Sequence, residues 1–203
     1  KIFLKKYRPW GVILFTRNLK EFNQIKNLTN SIKLIFKDKK YPIIIDQEGG
    51  RVNRLANLLE ASSFTAQYFG NLYKKNKKKF HSFFKVYISQ TAYLLNELGI
   101  NVNTVPVLDI SRPNTNKVIG DRSYSTNPLH VSKIGDLSIK EYSNYKIGTV
   151  IKHIPGHGLA KVDSHLKTPI VKNKKKYLFK NEFSVFKNKK TFFAMTAHVV
   201  YKD

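Results

Sequence analysis

The sequence predicts an α/β fold, a (β/α)8 TIM barrel of which about five strand–helix units lie in the 203 residues. Three observations carry that expectation. Short, continuous apolar runs rich in β-branched residues recur along the chain, as suits strands buried on both faces of a parallel sheet. Amphipathic stretches separate them, which implies βαβ units with right-handed crossovers. Polar residues then follow every apolar run, and a barrel assembles its site from the C-terminal ends of many strands.

In chain order, the first run is Gly11 to Phe15, followed by Thr16-Arg17-Asn18. Residues 20–37 place Phe22, Ile25, Leu28, Ile32 and Ile35 three and four apart, a helical stripe. The second run, Tyr41 to Ile45, leads into Asp46-Gln47-Glu48. Residues 80–98 align Phe84, Tyr87, Ile88, Leu94 and Leu98 on one helical face and stop at Gly99. The third run, Ile100 to Val107, precedes Asp109, and residues 128–146 read as a weaker helix. The fourth, Thr149 to Ile151, runs into Lys152-His153, and another weak helix covers 175–188. The fifth, Thr191 to Met195, ends in Thr196-Ala197-His198.

A doubly wound sheet would gather its polar groups at one switch point, usually behind a glycine-rich first turn; no G-x-G-x-x-G occurs. No repeat or low-complexity linker divides residues 1–203, so a single partial barrel domain is expected. A closed barrel needs eight strands, which leaves about one missing at the front and two at the back. The start without methionine also points to an absent N-terminal piece.

Composition narrows the function. Hydrophobic residues make up 41% and aromatics 13%, a globular balance. No window of about 18 apolar residues is available to span a bilayer, and no membrane partner is expected. The start, Lys1 to Tyr7, is too short in its apolar run for a secretory signal. With no cysteine, disulfide and thiolate chemistry are excluded, in keeping with a reducing, cytoplasmic setting. The net charge of +24 has two readings, a polyanion partner or a solvated lysine-rich surface. The excess sits in lysine runs such as 74–79, 172–176 and 187–190, without interleaved aromatics or an arginine-rich reading helix. The surface reading is preferred, and no specific nucleic acid is expected.

Two segments carry chemistry. Lys152-His153-Ile154-Pro155-Gly156-His157-Gly158, with Asp163-Ser164-His165 shortly after, reads as a loop because of Pro155 and the glycines. Residues two apart can point to one side, so Asp163 and His165 are a candidate hydrogen-bonded pair for general acid–base work. A loop whose histidines only cap backbone groups, and a zinc site from His153, His157, Asp163 and His165, are alternatives; no helix is available for the H-x3-H spacing, and no metal is assigned. The second segment is Asp46-Gln47-Glu48-Gly49-Gly50-Arg51-Val52-Asn53-Arg54. A carboxylate ending a buried strand needs hydrogen bonds or a cation, and Arg51 and Arg54 are both near enough in sequence. Arg122, in Ile119 to Tyr124, reads by default as part of a surface salt bridge.

These segments together resemble glycoside hydrolase family 3, in its single-domain β-N-acetylglucosaminidase branch. The stretches are GVILFTRNL (11–19), IIIDQEGGRVNRL (43–55), LGINVNTVPVLDI (98–110), IGDRSYSTNP (119–128), KHIPGHGLAKVDSHLKTP (152–169) and MTAHVVY (195–201). The resemblance implies a TIM barrel and a retaining, exo-acting β-N-acetylhexosaminidase that acts on cell-wall-derived saccharides without a cofactor. It places ligand-binding residues on Asp46, Arg54, Arg122, Lys152 and His153, and an acid/base dyad on Asp163 and His165. It also implies an aspartate nucleophile in a strand-end motif well downstream of the D-S-H loop. Asp203 stands in the wrong loop for that role, so this stretch alone is not expected to turn over substrate at a normal rate. A non-catalytic sugar- or wall-binding remnant and a basic nucleic-acid-binding protein are the alternatives, and oligomeric state stays open.

Overall fold

The computed structural model describes residues 2–113, 118–162 and 168–202. In chain order the elements are α1 (Ile2–Tyr7), β1 (Val12–Leu14), α2 (Phe22–Phe36), β2 (Ile43–Ile45), α3 (Ala66–Lys75), α4 (Lys77–Glu97), β3 (Val102–Asn103), α5 (Pro128–Asn144), β4 (Gly148–Ile154), β5 (Ile170–Val171), α6 (Lys175–Lys180), β6 (Phe193–Thr196) and β7 (Val200–Tyr201).

Five strands form one parallel sheet in the order β1-β2-β3-β4-β6, with Ile13 opposite Ile44, Ile44 opposite Val102, Val102 opposite Gly148 and Val150 opposite Phe193. The strands are adjacent in the order in which the chain supplies them. A doubly wound sheet reverses direction at a switch point and this one does not, so it is the curved wall of an incomplete (β/α) barrel. All five apolar runs became strands of this sheet, β3 as two residues with a further bridge from Val107 to Lys152. The short pair β5–β7 was not anticipated.

The helices cover the sheet because their apolar stripes match the strand faces. Ile25 and Ile32 of α2, Phe80, Phe84, Ile88 and Leu95 of α4, and Val131, Ile134 and Ile139 of α5 are buried in one cluster with Ile43 and Ile45 of β2. Side chains start three of the helices. Thr65 accepts from the Tyr68 amide, Asn76 from Lys79 and Asn127 from Leu129, each satisfying an N–H that lacks a partner within its helix.

The lysine run 74–79 is the exposed junction of α3 and α4, with Asn76 capping α4, as a solvated lysine-rich surface requires. Three expectations change. Helix α3 was missed. The helix expected over 175–188 breaks after Lys180 into a 3-10 turn, Phe183–Phe186, because Glu182 turns inward at the break and is buried on Arg112. In the 187–190 run, Lys189 is not solvated: its side chain is 2% exposed and pairs with Asp136 at 2.9 Å. Among the described residues no helix is long and apolar enough to cross a membrane.

Candidate active site

At the C-terminal rim of the sheet, β2 ends in Asp46-Gln47-Glu48 and β4 brings Lys152, whose side chain is 1% exposed, between the two carboxylates. Its ammonium donates to Asp46 Oδ1, lies 2.5 Å from Glu48 Oε1 and donates to Thr104 Oγ1 at 3.1 Å. Asp46 also accepts from the Thr104 hydroxyl at 2.6 Å and from Arg54 Nη2 at 3.2 Å. Glu48 takes a two-pronged grip from Arg122, Nε at 2.8 Å and Nη2 at 2.7 Å. A buried ammonium is tolerable only when paired and hydrogen-bonded, and here two carboxylates and a hydroxyl satisfy it. Burial disfavours the Asp46 carboxylate, but the Lys152 charge and hydrogen bond, the Thr104 hydroxyl and Arg54 outweigh it and hold the carboxyl well below its ordinary range.

The two carboxylates are held in place from below. Asn103 Oδ1 accepts the Gln47 N–H at 3.0 Å and its Nδ2 donates to the Gln47 carbonyl at 2.9 Å. The residue between Asp46 and Glu48 is thus gripped at both of its backbone polar groups. Gln47 itself is fully buried, its side chain accepting from the Leu55 amide and donating to Asn53.

The register of β4 against β6 shifts between Lys152 and Ile154, and the cis peptide Lys152–His153 lies in this irregularity. A bulge interrupts strict alternation and re-aims side chains, so the neighbours Lys152 and His153 both reach acidic partners at the rim. His153 Nδ1 sits 2.5 Å from Asp109 Oδ2, while Asp109 Oδ1 accepts the His157 N–H at 2.6 Å. Asp109 is 1% exposed. Burial would raise its carboxyl; the His153 charge and hydrogen bond and the His157 amide hold it low instead. Burial also lowers the His157 imidazole, against the pull of Asp109.

The chain matches the model of the glycosyl hydrolase family 3 N-terminal domain over residues 1–203. It belongs to this family. It is 34% identical over 211 residues to a beta-hexosaminidase A of Pseudoalteromonas piscicida, covering 98% of this chain and 34% of that protein. Among solved structures, NagZ from Neisseria gonorrhoeae in complex with N-trifluoroacetyl-D-glucosamine superposes with a TM-score of 0.80 at 30% identity, over 95% of this chain and 57% of that one. A family 3 beta-N-acetylglucosaminidase from Paenibacillus sp. str. FPU-7 gives 0.86 at 29% identity, over 98% and 38%. The chain therefore spans between a third and somewhat over half of these relatives' lengths.

Of the residues expected from the family 3 resemblance, the structure gathers Asp46, Arg54, Arg122, Lys152 and His153 at one rim. Arg122 is close enough to Asp46 and Asp109 to feel both charges. Asp163 and His165 lie outside the described residues. Two expectations are corrected. Arg51 does not serve Asp46; its Nε goes to Asp121 at 2.8 Å and its Nη2 to the carbonyls of Val118 and Ile119. Arg122 is no surface salt bridge, its side chain 14% and that of Glu48 7% exposed. Sequence reasoning missed three contributors: Glu48 as a bridge between Lys152 and Arg122, Thr104 on Asp46, and Asp109 as the partner of His153. Asp109 was flagged only by its place after the third apolar run. Nothing local in sequence pairs Glu48 with Arg122, 74 positions away.

Proposed function

We propose that residues 1–203 form part of the single catalytic domain of a retaining, exo-acting β-N-acetylhexosaminidase, releasing terminal β-linked N-acetylglucosamine from cell-wall-derived saccharides. The observation that carries this reading is the strand-end constellation of Asp46, Lys152, Glu48, Arg54 and Arg122, in a chain that resembles an N-acylglucosamine-bound NagZ over 95% of its length. Asp46 is an ionised acceptor for sugar hydroxyls, and Lys152, Arg54, Arg122 and His153 are donors around it. Asp109 engages His153 Nδ1, which leaves Nε2 as the ring nitrogen available to a ligand.

In the reaction, His165 supported by Asp163 gives its proton to the glycosidic oxygen as the bond to the anomeric carbon breaks. A carboxylate attacks that carbon from the opposite face to form a glycosyl ester, and His165 then takes a proton from the water that cleaves it. The family 3 resemblance implies that the attacking carboxylate is an aspartate downstream of the D-S-H loop, outside residues 1–203. The chemistry needs side chains alone, without metal or cofactor. The cysteine-free composition supports a reducing, cytoplasmic setting.

The test is hydrolysis of 4-nitrophenyl N-acetyl-β-glucosaminide by the complete encoded polypeptide, with the product followed by proton NMR. The reading predicts that the β-anomer appears first and that His165→Ala lowers kcat by roughly 100- to 10,000-fold. Absence of hydrolysis, or an α-anomer formed first, sinks it.

A further inference from the structure

Glu182 is the buried acid that the site description leaves unused. It is 1% exposed, at the break between α6 and the following 3-10 turn. Oε1 accepts from Arg112 through Nε at 2.9 Å and Nη2 at 2.5 Å. Oε2 is equally buried and accepts no hydrogen bond. Burial pushes the carboxyl up, against the pull of Arg112. A carboxylate oxygen kept from water without a donor costs stability, so its presence calls for a reason.

What Oε2 faces supplies one. It lies 3.2 Å from where a Cβ on Gly158 would stand and 3.7 Å from that of Gly156. The same Gly158 position also meets the Ile110 carbonyl, 2.0 Å from such a Cβ. A side chain at 158 has no room, and the Glu182 side chain lines the turn at both glycines, its Cβ 3.2 Å from where a Cβ on Gly156 would stand. The Tyr201 hydroxyl donates to the Gly156 carbonyl, and the His157 amide to Asp109. Backbone hydrogen bonds from Gly156 to the His153 carbonyl and from Ala160 to the His157 carbonyl add to these, and the Glu182 side chain packed on the turn is fixed by Arg112 from the end of the third strand's loop.

We propose that Glu182 is a positioning residue for proton transfer, bracing the Gly156–Gly158 turn, which in the chain follows His153 and precedes Asp163 and His165. The proposal rests on the acid/base reading above. It requires the side chain's length and its bond to Arg112 rather than its charge.

The test compares Glu182→Ala and Glu182→Gln in the complete encoded polypeptide, using kcat/KM on two substrates. A 2,4-dinitrophenyl N-acetyl-β-glucosaminide leaves without protonation; N,N′-diacetylchitobiose needs it. Glu182→Ala is expected to lower kcat/KM on the disaccharide by about tenfold or more while changing the activated glycoside less than about twofold. Glu182→Gln, which keeps the shape and the carbonyl bond to Arg112, is expected within about threefold of the parent on both. Equal losses on both substrates, no loss at all, or a Gln variant as impaired as Ala would each overturn the proposal. Amide hydrogen exchange gives a readout independent of turnover: Glu182→Ala should release protection at His157 and leave Ile44 and Ile45 unchanged, and unchanged protection at His157 would also refute it. If His165→Ala spares the disaccharide selectively, it is the acid/base reading that fails, a result distinct from any given by the Glu182 variants.

Discussion

Replacing Lys152 by methionine tests the ionic centre of the rim directly. The change keeps the volume roughly constant and deletes a buried ammonium that faces Asp46, Glu48 and Thr104. Removing one partner of a buried pair typically costs about 3–5 kcal/mol. Two carboxylates lose a partner here, which argues for the upper end. Each keeps an arginine, though: Asp46 holds Arg54 at 3.2 Å, and Glu48 holds both prongs of Arg122. Deleting the ammonium also removes its own desolvation penalty. The balance is a loss of about 3 kcal/mol at pH 7, read by urea titration as a lower midpoint with an unchanged slope. The pH dependence has a defined sign. Asp46 is held below its ordinary pKa, so its contribution is present above about pH 3.9, the unfolded value, and is lost as pH falls through the folded one. Without Lys152 that contribution shrinks, and parent and variant should converge in acid. A loss under about 1 kcal/mol at pH 7, or a gain, would refute the view that Lys152 neutralises both carboxylates.

Arg122→Lys keeps the charge but loses the planar fork on Glu48, and should weaken N-acetylglucosamine binding by about tenfold in calorimetry, some 1.4 kcal/mol. Asn103→Leu leaves the Gln47 N–H and carbonyl without their buried partner; a destabilisation of about 2 kcal/mol or more is expected in thermal or urea unfolding. For His157, burial depresses the imidazole, so the folded state resists its protonation. Stability should therefore fall as pH drops from about 6.5 through the lower folded value, and His157→Gln should flatten that slope in urea midpoints between about pH 7 and pH 5.

The sheet was legible because its strands are written as unbroken apolar runs such as Ile43-Ile44-Ile45; the inner strands β2, β3 and β4 are largely buried, while the edge strands β1 and β6 are partly exposed. The polar residue ending each run then marks the rim, which is how Asp46 and Lys152 stood out. Helix α3 was not legible: only Phe69, Gly70 and Tyr73 are buried, and Gly70 reads as a breaker. The structure shows why glycine stands there, since a Cβ would lie 1.6 Å from the Tyr124 carbonyl. Long-range pairs were equally silent. Glu48 looked like one more acid in a loop, Arg122 like a surface cation and Glu182 like a helix residue, because each is defined by a partner some 70 positions away. Local patterns encode elements and their ends; what the ends grip is decided by the crossovers.

In the proposed function, strand ends distant in sequence form one sugar-binding surface. Titrating N-acetylglucosamine into the isotopically labelled protein and following backbone amides by NMR tests it most directly. Perturbations are expected together around residues 46–54, 103–109, 119–122 and 152–157, and to disappear in Asp46→Asn. Shifts confined to one of these segments, or centred on the lysine-rich surface of α3 and α4, would contradict it.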